Sequence, residues 1–456
     1  MTGVFAGADG YYAVFGTDSK NFRLLSATGM NLLPDGLLSD NAEGRMKRYC
    51  SILIIGFITL AAIVSMQPVT LGAQEENMKA LAEGNTRFAL ELYGKLRTAD
   101  DNLFLSPYSI SSALAMAYAG ARGETASQMA TVLKLALPQN DLNAAFADLQ
   151  GQLHTVQEKG TIQLNIANSL WPQAGYPFLK SYLSLAQKYY GVTITPLDYR
   201  SDREAARRTI NAWVEEKTKN RITDLIQRGM LSSSTRLVLA NAIYFKGTWS
   251  MAFKKEATKD APFHRLAGKP VQAPTMVQKE RFGYADHADL EVLELPYAGE
   301  ELSMIILLPK KTDGLPDLEK QLTAENLKHW TNDLQKQEVE VLLPRFKMTS
   351  RFDLGSTLSA MGMVDAFIAA KADFSGMDGK PGWLSIGIVV HKAFVDVNEE
   401  GTEAAAATGV GMTMAAVRAR IPVFRADHPF FFLIRDNATG SVLFMGRVIN
   451  PTLAGE

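Results

Sequence analysis

Residues 399–415 have the composition of a linker and the alternation of a β-strand. From Gly401 to Ala415 the side chains are mostly small, so the segment can bury little apolar surface and should be exposed. Every second residue from Thr402 to Met414 is uncharged, whereas Glu403 lies on the opposite face of the alternation. This is the period of a half-buried strand. A loop of this kind can later become a strand inside a sheet, since small side chains suit entry between neighbours about 4.8 Å away on each side.

Two simpler interpretations of this stretch stay open on composition alone. The first is a flexible linker. The second is an alanine-rich helix, which alanine propensity favours and which Gly409, Gly411 and three threonines oppose. The flanking sequence favours the latent strand.

Several motifs on both sides of this stretch occur in a characteristic order. They are NLFLSPYSI at 102–110, GARGET at 120–125, NAIYFKGTW at 241–249, HKAFVDVN at 391–398, EEGTE followed by four alanines at 399–407, HPFFFLIRD at 428–436 and FMGRVINP at 444–451. In this order they resemble the serpin family of serine protease inhibitors over residues 76–453, with an inhibitory-type hinge. We expect a secreted member of prokaryotic type.

Helical and strand patterns divide the chain into two halves. Residues 202–221 place apolar side chains at helical spacing, whereas residues 236–245 and 385–397 are rich in Val, Ile, Leu and Ala, as buried strands are. Helices first and strands later predict an α+β domain. The resemblance implies the serpin fold, with about three β-sheets, some eight to nine helices and an exposed reactive-centre loop at 399–420. It also implies a donor strand at 385–397 and a receiving strand at 422–426.

The N-terminal segment is predicted to be separate from this domain. Met46-Lys47-Arg48 precedes an uncharged apolar run, which is typical of a secretory signal whose translation begins at Met46. Residues 1–45 are then a misassigned or disordered leader, residues 46–73 a signal peptide, and residues 76–456 a single domain. The protein is expected to be secreted, either extracellular or periplasmic. A membrane anchor at 51–73 is the alternative, since that stretch is long enough to span a bilayer.

Composition and motifs argue against several function classes. The formal net charge is -1 and no basic run occurs, so nucleic-acid binding has no electrostatic support. We find no Gly-x-Ser-x-Gly, no His-Glu-x-x-His and no phosphate-binding Gly-Lys-Ser/Thr loop, and the six histidines are scattered. We therefore expect a protease inhibitor rather than an enzyme, with no cofactor and no metal site. The single cysteine, Cys50, excludes a disulfide within the domain.

The resemblance assigns a gate to the middle of the main sheet. Ser106, Ser109, Asn241 and His391 match a polar cluster where the central strands separate, and Trp249 matches the position where the loop first enters. A set of exchangeable hydrogen bonds suits a gate, because an unpaired buried group is costly. The simpler alternatives are that Ser106 is only a helix N-cap before Pro107 and that Trp249 is only a core aromatic.

The resemblance also implies the mechanism of a suicide substrate. A target serine endopeptidase, with cysteine proteases as a second class, cleaves the loop and forms a covalent acyl complex with a monomeric inhibitor. The freed hinge then inserts into the main sheet. The hinge residues are Glu399, Gly401, Thr402, Glu403, Ala404, Ala405, Ala406, Ala407 and Thr408. No charge occurs at the positions that insertion would bury, which favours an inhibitor over a non-inhibitory binding, storage or chaperone member.

Two counts for the scissile bond disagree. The bond that follows the residue sixteen positions after Glu399 is Ala415–Ala416, whereas counting back eleven from Pro429 gives Arg418–Ala419. Arg418 or Arg420 suits a trypsin-like protease, whose pocket pairs a carboxylate with guanidinium. Alanine suits a subtilisin-like or elastase-like protease with a shallow apolar pocket, and both choices stay open.

Overall fold

The computed structural model describes residues 3–6, 11–15, 22–26, 72–97, 101–160, 162–400 and 421–453. It divides the chain into two units, Met1–Gly72 and Ala73–Glu456. The first contains a small antiparallel sheet of strands β1 (Gly3–Ala6), β2 (Tyr11–Phe15) and β3 (Phe22–Ser26). These strands fall in the segment predicted to be a misassigned or disordered leader, and its absence from the mature protein stays a prediction.

The predicted signal peptide or anchor lies, except for its last two residues, outside the described residues. Among the helices that the structure describes, none is long and apolar enough to cross a membrane.

The second unit contains ten helices among its described residues, where the resemblance implied eight to nine. They are α1 (72–96), α2 (Pro107–Gly120), α3 (Gly123–Leu133), α4 (Gln139–Glu158), α5 (Lys180–Tyr190), α6 (Arg203–Lys217), α7 (Leu315–Lys320), α8 (Ala324–Asn332), α9 (Gly355–Ala360) and α10 (Ser375–Asp378).

Side-chain caps fix where two of these helices begin. Ser106 Oγ accepts the Ser109 N–H at 3.2 Å, and Pro107 occupies the first position of α2, as predicted. Asp202 caps α6 in the same way by accepting the Ala205 N–H at 2.9 Å. Helix α6 therefore begins one residue later than the predicted 202–221, and it ends at Lys217.

The strands of this unit form two hydrogen-bonded sheets. They are β4 (Leu103–Leu105), β5 (Ile162–Pro172), β6 (Thr193–Ile194), β7 (Leu237–Gly247), β8 (Lys259–Phe263), β9 (Val271–Asp286), β10 (Leu290–Pro296), β11 (Leu302–Pro309), β12 (Gln335–Pro344), β13 (Phe346–Asp353), β14 (Val389–Val397), β15 (Val423–Arg425), β16 (Phe430–Asp436) and β17 (Val442–Val448).

The five-stranded sheet has the order β13-β14-β7-β5-β6. Strand β7 is a nearly continuous apolar run because both of its faces are buried. Leu239, Ile243 and Phe245 belong to the main core, whereas Ala240 and Ala242 belong to a second core on the opposite face.

The other sheet has the order β15-β12-β9-β10-β11-β16-β17-β4, and β8 also pairs with β9. The 16-residue strand β9 belongs to two parts of this sheet. Strand β12 pairs along one edge of β9, whereas β8 pairs with the start and β10 with the end of its other edge. The two smaller sheets implied by the resemblance therefore run together through β9. The predicted α+β serpin fold is confirmed.

Candidate functional site

The central pair of the five-stranded sheet is the parallel pair β14 and β7. Its register runs from Val389 opposite Leu239 to Val395 opposite Phe245, with His391 opposite Asn241. The predicted donor strand at 385–397 is thus β14, but it begins only at Val389. Residues 385–388 were wrongly assigned to the strand because their apolar composition does not distinguish strand from the extended chain that precedes it.

The segment that follows β14 connects two different sheets. Residues 398–400 continue from β14, and the chain is described again from residue 421, where it enters β15. Strand β15 pairs in parallel with β12 in the nine-stranded sheet, within the predicted receiving segment 422–426. Hinge residues 401–408 and both candidate bonds, Ala415–Ala416 and Arg418–Ala419, lie outside the described residues, as does Arg420.

A polar cluster lies between this sheet and the first turns of α2. His391 is fully buried, and its Nε2 accepts the Ser106 N–H at 3.0 Å. The ring must therefore carry its proton on Nδ1, which donates to Asn241 Oδ1 at 2.6 Å. Burial lowers the pKa of His391 from 6.5 to about 3, so the imidazole is neutral at physiological pH.

Asn241 connects the helix to two strands. Its Nδ2 donates to Ser109 O at 2.9 Å and to Ser109 Oγ and Asn168 Oδ1 at 2.5 Å each. Asn168 on β5 pairs with Asn241 across the sheet, so Asn168, Asn241 and His391 form one row over three adjacent strands. Ser106 Oγ donates to Leu443 O at 2.6 Å. The structure thus brings the four predicted cluster residues together, and adds Asn168, which sequence reasoning missed.

Trp249 lies at the end of β14, where the predicted loop begins. Its Nε1–H donates to Asn398 O at 2.9 Å, and its ring stacks on Tyr297 with 4.7 Å between centroids. Phe253, four residues further along the chain, holds the same segment, since its N–H donates to Glu399 O at 3.0 Å. Trp249 is therefore a buried aromatic residue that also fixes, through its hydrogen bond to Asn398 O, the backbone that leads into the loop.

Glu399, the first hinge residue, is only 1% exposed and is held by two side chains. Arg345 Nε donates to Glu399 Oε1 at 2.7 Å, and Thr258 Oγ1 donates to the same oxygen. Burial by itself would raise the pKa of Glu399, but the hydrogen bonds from Arg345 and Thr258 outweigh it and hold the pKa below the ordinary value. The next residue, Glu400, forms an exposed ion pair with Lys255.

Sequence reasoning also missed Arg345 and Thr258. Both lie far from Glu399 along the chain, and neither belongs to a recognisable motif. Only the register that puts β13 beside β14 brings Arg345, which immediately precedes β13, next to the end of β14. No local pattern could have shown this contact.

Several known proteins are similar to this chain over most of its length. The family model described as "Serpin (serine protease inhibitor)" matches residues 83–451. Leukocyte elastase inhibitor of Equus caballus is 45% identical over 385 residues, which cover 82% of this chain and 100% of that protein. Leukocyte elastase inhibitor of Homo sapiens is 43% identical over 384 residues, with the same coverage of both chains.

A solved structure shares the architecture. Uncleaved ovalbumin superposes with a TM-score of 0.75 at 34% identity, covering 82% of this chain and 100% of that chain. The two relatives named above are animal proteins, so they give no support to the expectation of a prokaryotic-type member.

Proposed function

The chain belongs to the serpin family of serine protease inhibitors, and from this premise we propose that it acts as a suicide substrate whose reactive loop inserts between β14 and β7. It is an inhibitor of proteases rather than an enzyme. The protease serine Oγ attacks the carbonyl carbon before the scissile bond, the peptide C–N bond breaks, and an acyl ester forms. The new amino terminus stays with the inhibitor, because β15, β16 and β17 remain paired in the nine-stranded sheet.

The observation that carries this proposal is the direct parallel pairing of β14 with β7. A segment that folds back from the end of β14 and enters between them runs antiparallel to both strands. Insertion thus exchanges one parallel ladder for two antiparallel ladders, and antiparallel pairing is slightly more stable per residue. The sheet gains a strand, which supplies the driving force for the rearrangement.

Insertion also displaces the attached protease over a long distance. About 14 residues at about 3.3 Å each carry the acyl ester on the order of 45 Å along the sheet. The polar cluster lies in the path, because Asn241 and His391 face each other across the two strands that separate. Its members can keep hydrogen-bonded partners while the strands part, which limits the cost of opening.

The alternation of the hinge, in which every second side chain is buried on insertion, gives a direct test of this mechanism. Thr402→Arg puts a charge at a position that insertion buries, at a cost of several kcal/mol for an unpaired charge. We expect this variant to be cleaved as a plain substrate, with little adduct that survives boiling in denaturant. Glu403→Arg is the matched control, since its charge has the opposite parity and stays in water. An undiminished adduct with Thr402→Arg, or equal losses in both variants, would contradict loop insertion.

We further propose an elastase-like serine protease as the target and Ala415–Ala416 as the scissile bond. The relatives named above are elastase inhibitors by name, and a small residue before the bond suits a shallow apolar pocket. Mass measurement of the C-terminal fragment that elastase produces, after the fragment is separated in denaturant, tests this. Cleavage at Ala415–Ala416 gives a fragment of residues 416–456. A fragment that begins at Ala419 would instead assign the site to Arg418 and a trypsin-like protease.

A non-inhibitory role in binding, storage or chaperoning is the alternative function considered from the sequence. Cleavage by every protease without any stable adduct would select it.

Export is likewise part of the proposal: residues 46–73 act as a cleaved signal, with a retained anchor at 51–73 as the alternative. N-terminal sequencing of the protein from culture medium and from membranes distinguishes the two.

A further inference from the structure

Two of the six histidines, His287 and His329, lie beside the same carboxylate, Asp333, outside the polar cluster and the hinge. His287 Nδ1 lies 3.9 Å from Asp333 Oδ2, and His329 Nδ1 lies 3.7 Å from the same oxygen. The two imidazole rings are 5.7 Å apart between centroids, and one ligand atom from each residue lies within 4.8 Å of the others. Neither nitrogen–oxygen distance is a hydrogen bond, so both imidazoles lie close to Asp333 without a hydrogen bond to its carboxylate.

The ends of well-packed elements hold these three residues. The antiparallel register of β9 and β12 ends with Tyr284 opposite Gln335, so the residues that follow β9 and precede β12 lie side by side. The His287 N–H donates to Leu290 O at 2.9 Å, which fixes the tight turn into β10.

The end of helix α8 supplies the other two residues, with His329 in its last turn and Asp333 at the C-cap. Leu327 and Trp330 bury one side of the helix, which leaves His329 and Asp333, four residues apart, on the side towards solvent. Thr323 Oγ1 caps the start of α8 by accepting the Asn326 N–H at 3.1 Å. Both histidines thus lie on elements whose backbone is already fixed.

His287 has a ring nitrogen that the fold leaves without a partner. Its Nε2 is buried and forms no hydrogen bond with the described residues, which is unusual for a buried polar atom. The His287 side chain is 16% exposed, while those of His329 and Asp333 are 66% and 47% exposed. The cluster therefore has a partly buried floor and a side open to solvent, through which an ion can enter.

We propose that His287, His329 and Asp333 bind a divalent transition-metal ion of the Zn²⁺ type, with water as the fourth ligand. Two imidazole nitrogens and one carboxylate oxygen are a donor set that suits zinc, whereas Mg²⁺ and Ca²⁺ prefer oxygen ligands alone. Bonds of about 2.0–2.1 Å to a tetrahedral ion place its ligands about 3.4 Å apart. The two nitrogen–oxygen distances of 3.9 and 3.7 Å therefore need to close by a few tenths of an ångström, and the two imidazole nitrogens, which lie within 4.8 Å of each other, need to approach to the same separation. The site departs from the expectation of no metal.

The position of the site indicates a structural role. An ion there ties the β9–β10 turn to the junction of α8 and β12. Strand β12 pairs with β15, the first described strand after the reactive loop. The ion thus fastens the sheet that holds the far end of the loop, and it takes no part in acyl transfer.

The test is calorimetric titration of Zn²⁺ into the full chain, prepared without a polyhistidine tag and freed of metal with EDTA. We expect one ion per chain, and at least about 10-fold weaker binding in His329→Ala and in Asp333→Asn, since even losing an outer-shell partner of a metal ligand costs 10–100-fold. His154→Ala is the matched control, because His154 is also an exposed helical histidine with a carboxylate four residues away, Glu158, at 3.3 Å. Its affinity should equal that of the unaltered chain.

A second readout separates coordination from general stabilisation. Co²⁺ in place of Zn²⁺ should give the visible absorption bands of a tetrahedral site in the unaltered chain and in His154→Ala, and lose them in His329→Ala. Absence of stoichiometric binding, binding that survives both His329→Ala and Asp333→Asn, or equal loss in His154→Ala would overturn the proposal. Inhibitory activity is not the readout, so failure of this site leaves the proposed function untouched.

Discussion

One residue at the centre of the five-stranded sheet, His391, makes the stability of the folded state depend on pH. His391 is neutral because it is buried and because its Nε2 accepts a backbone hydrogen bond that a protonated ring has no lone pair to accept. Its folded pKa of about 3 lies below the value of about 6.5 in an unfolded chain. Between those values the unfolded chain binds one more proton, so the free energy of unfolding falls as the pH falls from 6.5 towards 3.

We predict a loss of about 2 kcal/mol in the free energy of unfolding between pH 7 and pH 5 from His391 alone. Urea unfolding at the two pH values, compared between the unaltered chain and His391→Gln, measures it. The variant has a lower stability at both pH values, but its pH dependence should be shallower by that amount. Equal pH dependence in the two proteins would contradict a buried, neutral His391.

Glu399 is a second residue whose environment, more than its type, fixes its role. Glu399→Gln weakens the charged hydrogen bonds to Arg345 and Thr258, and should reduce the free energy of unfolding by about 1–3 kcal/mol. Glu400→Gln is the neighbouring control, where loss of an exposed ion pair with Lys255 should reduce the free energy of unfolding much less, because solvent screens the pair. A comparable loss in both variants, seen in urea unfolding at pH 7, would rule out a special role for Glu399.

Among the elements, those with strong local signals could be predicted from the sequence. Ser106 before Pro107 predicts the start of α2, and the apolar run in β7 predicts a buried strand. The start of β14 could not be predicted, because residues 385–388 are apolar without being paired in the sheet. The partners of Glu399 could not be predicted either, since Arg345 reaches it only through the register between β13 and β14.

The metal cluster shows the same limit. The four-residue spacing of His329 and Asp333 was the one available signal, and such spacing is common on helix surfaces. The third residue, His287, joins them only because β9 and β12 pair over ten residues. Chemistry that depends on strand register is therefore the part of this protein that a single sequence does not disclose.

For the whole molecule, we propose that inhibition requires β14 to separate from β7. Covalently joining these strands tests it. Ala242 and Lys392 are paired in register on the same face, and neighbouring strands about 4.8 Å apart fall within the span of a disulfide. The chain has one cysteine, Cys50, so a Cys50→Ser background leaves only the introduced pair, Ala242→Cys with Lys392→Cys.

The decisive measurement is the amount of denaturant-resistant adduct that this paired variant forms with elastase, before and after reduction. We expect the oxidised protein to be cleaved without forming adduct, and the reduced protein to form as much adduct as the Cys50→Ser background. Adduct formation by the oxidised protein, with the disulfide verified by mass, would show that the strands need not part and would contradict the mechanism.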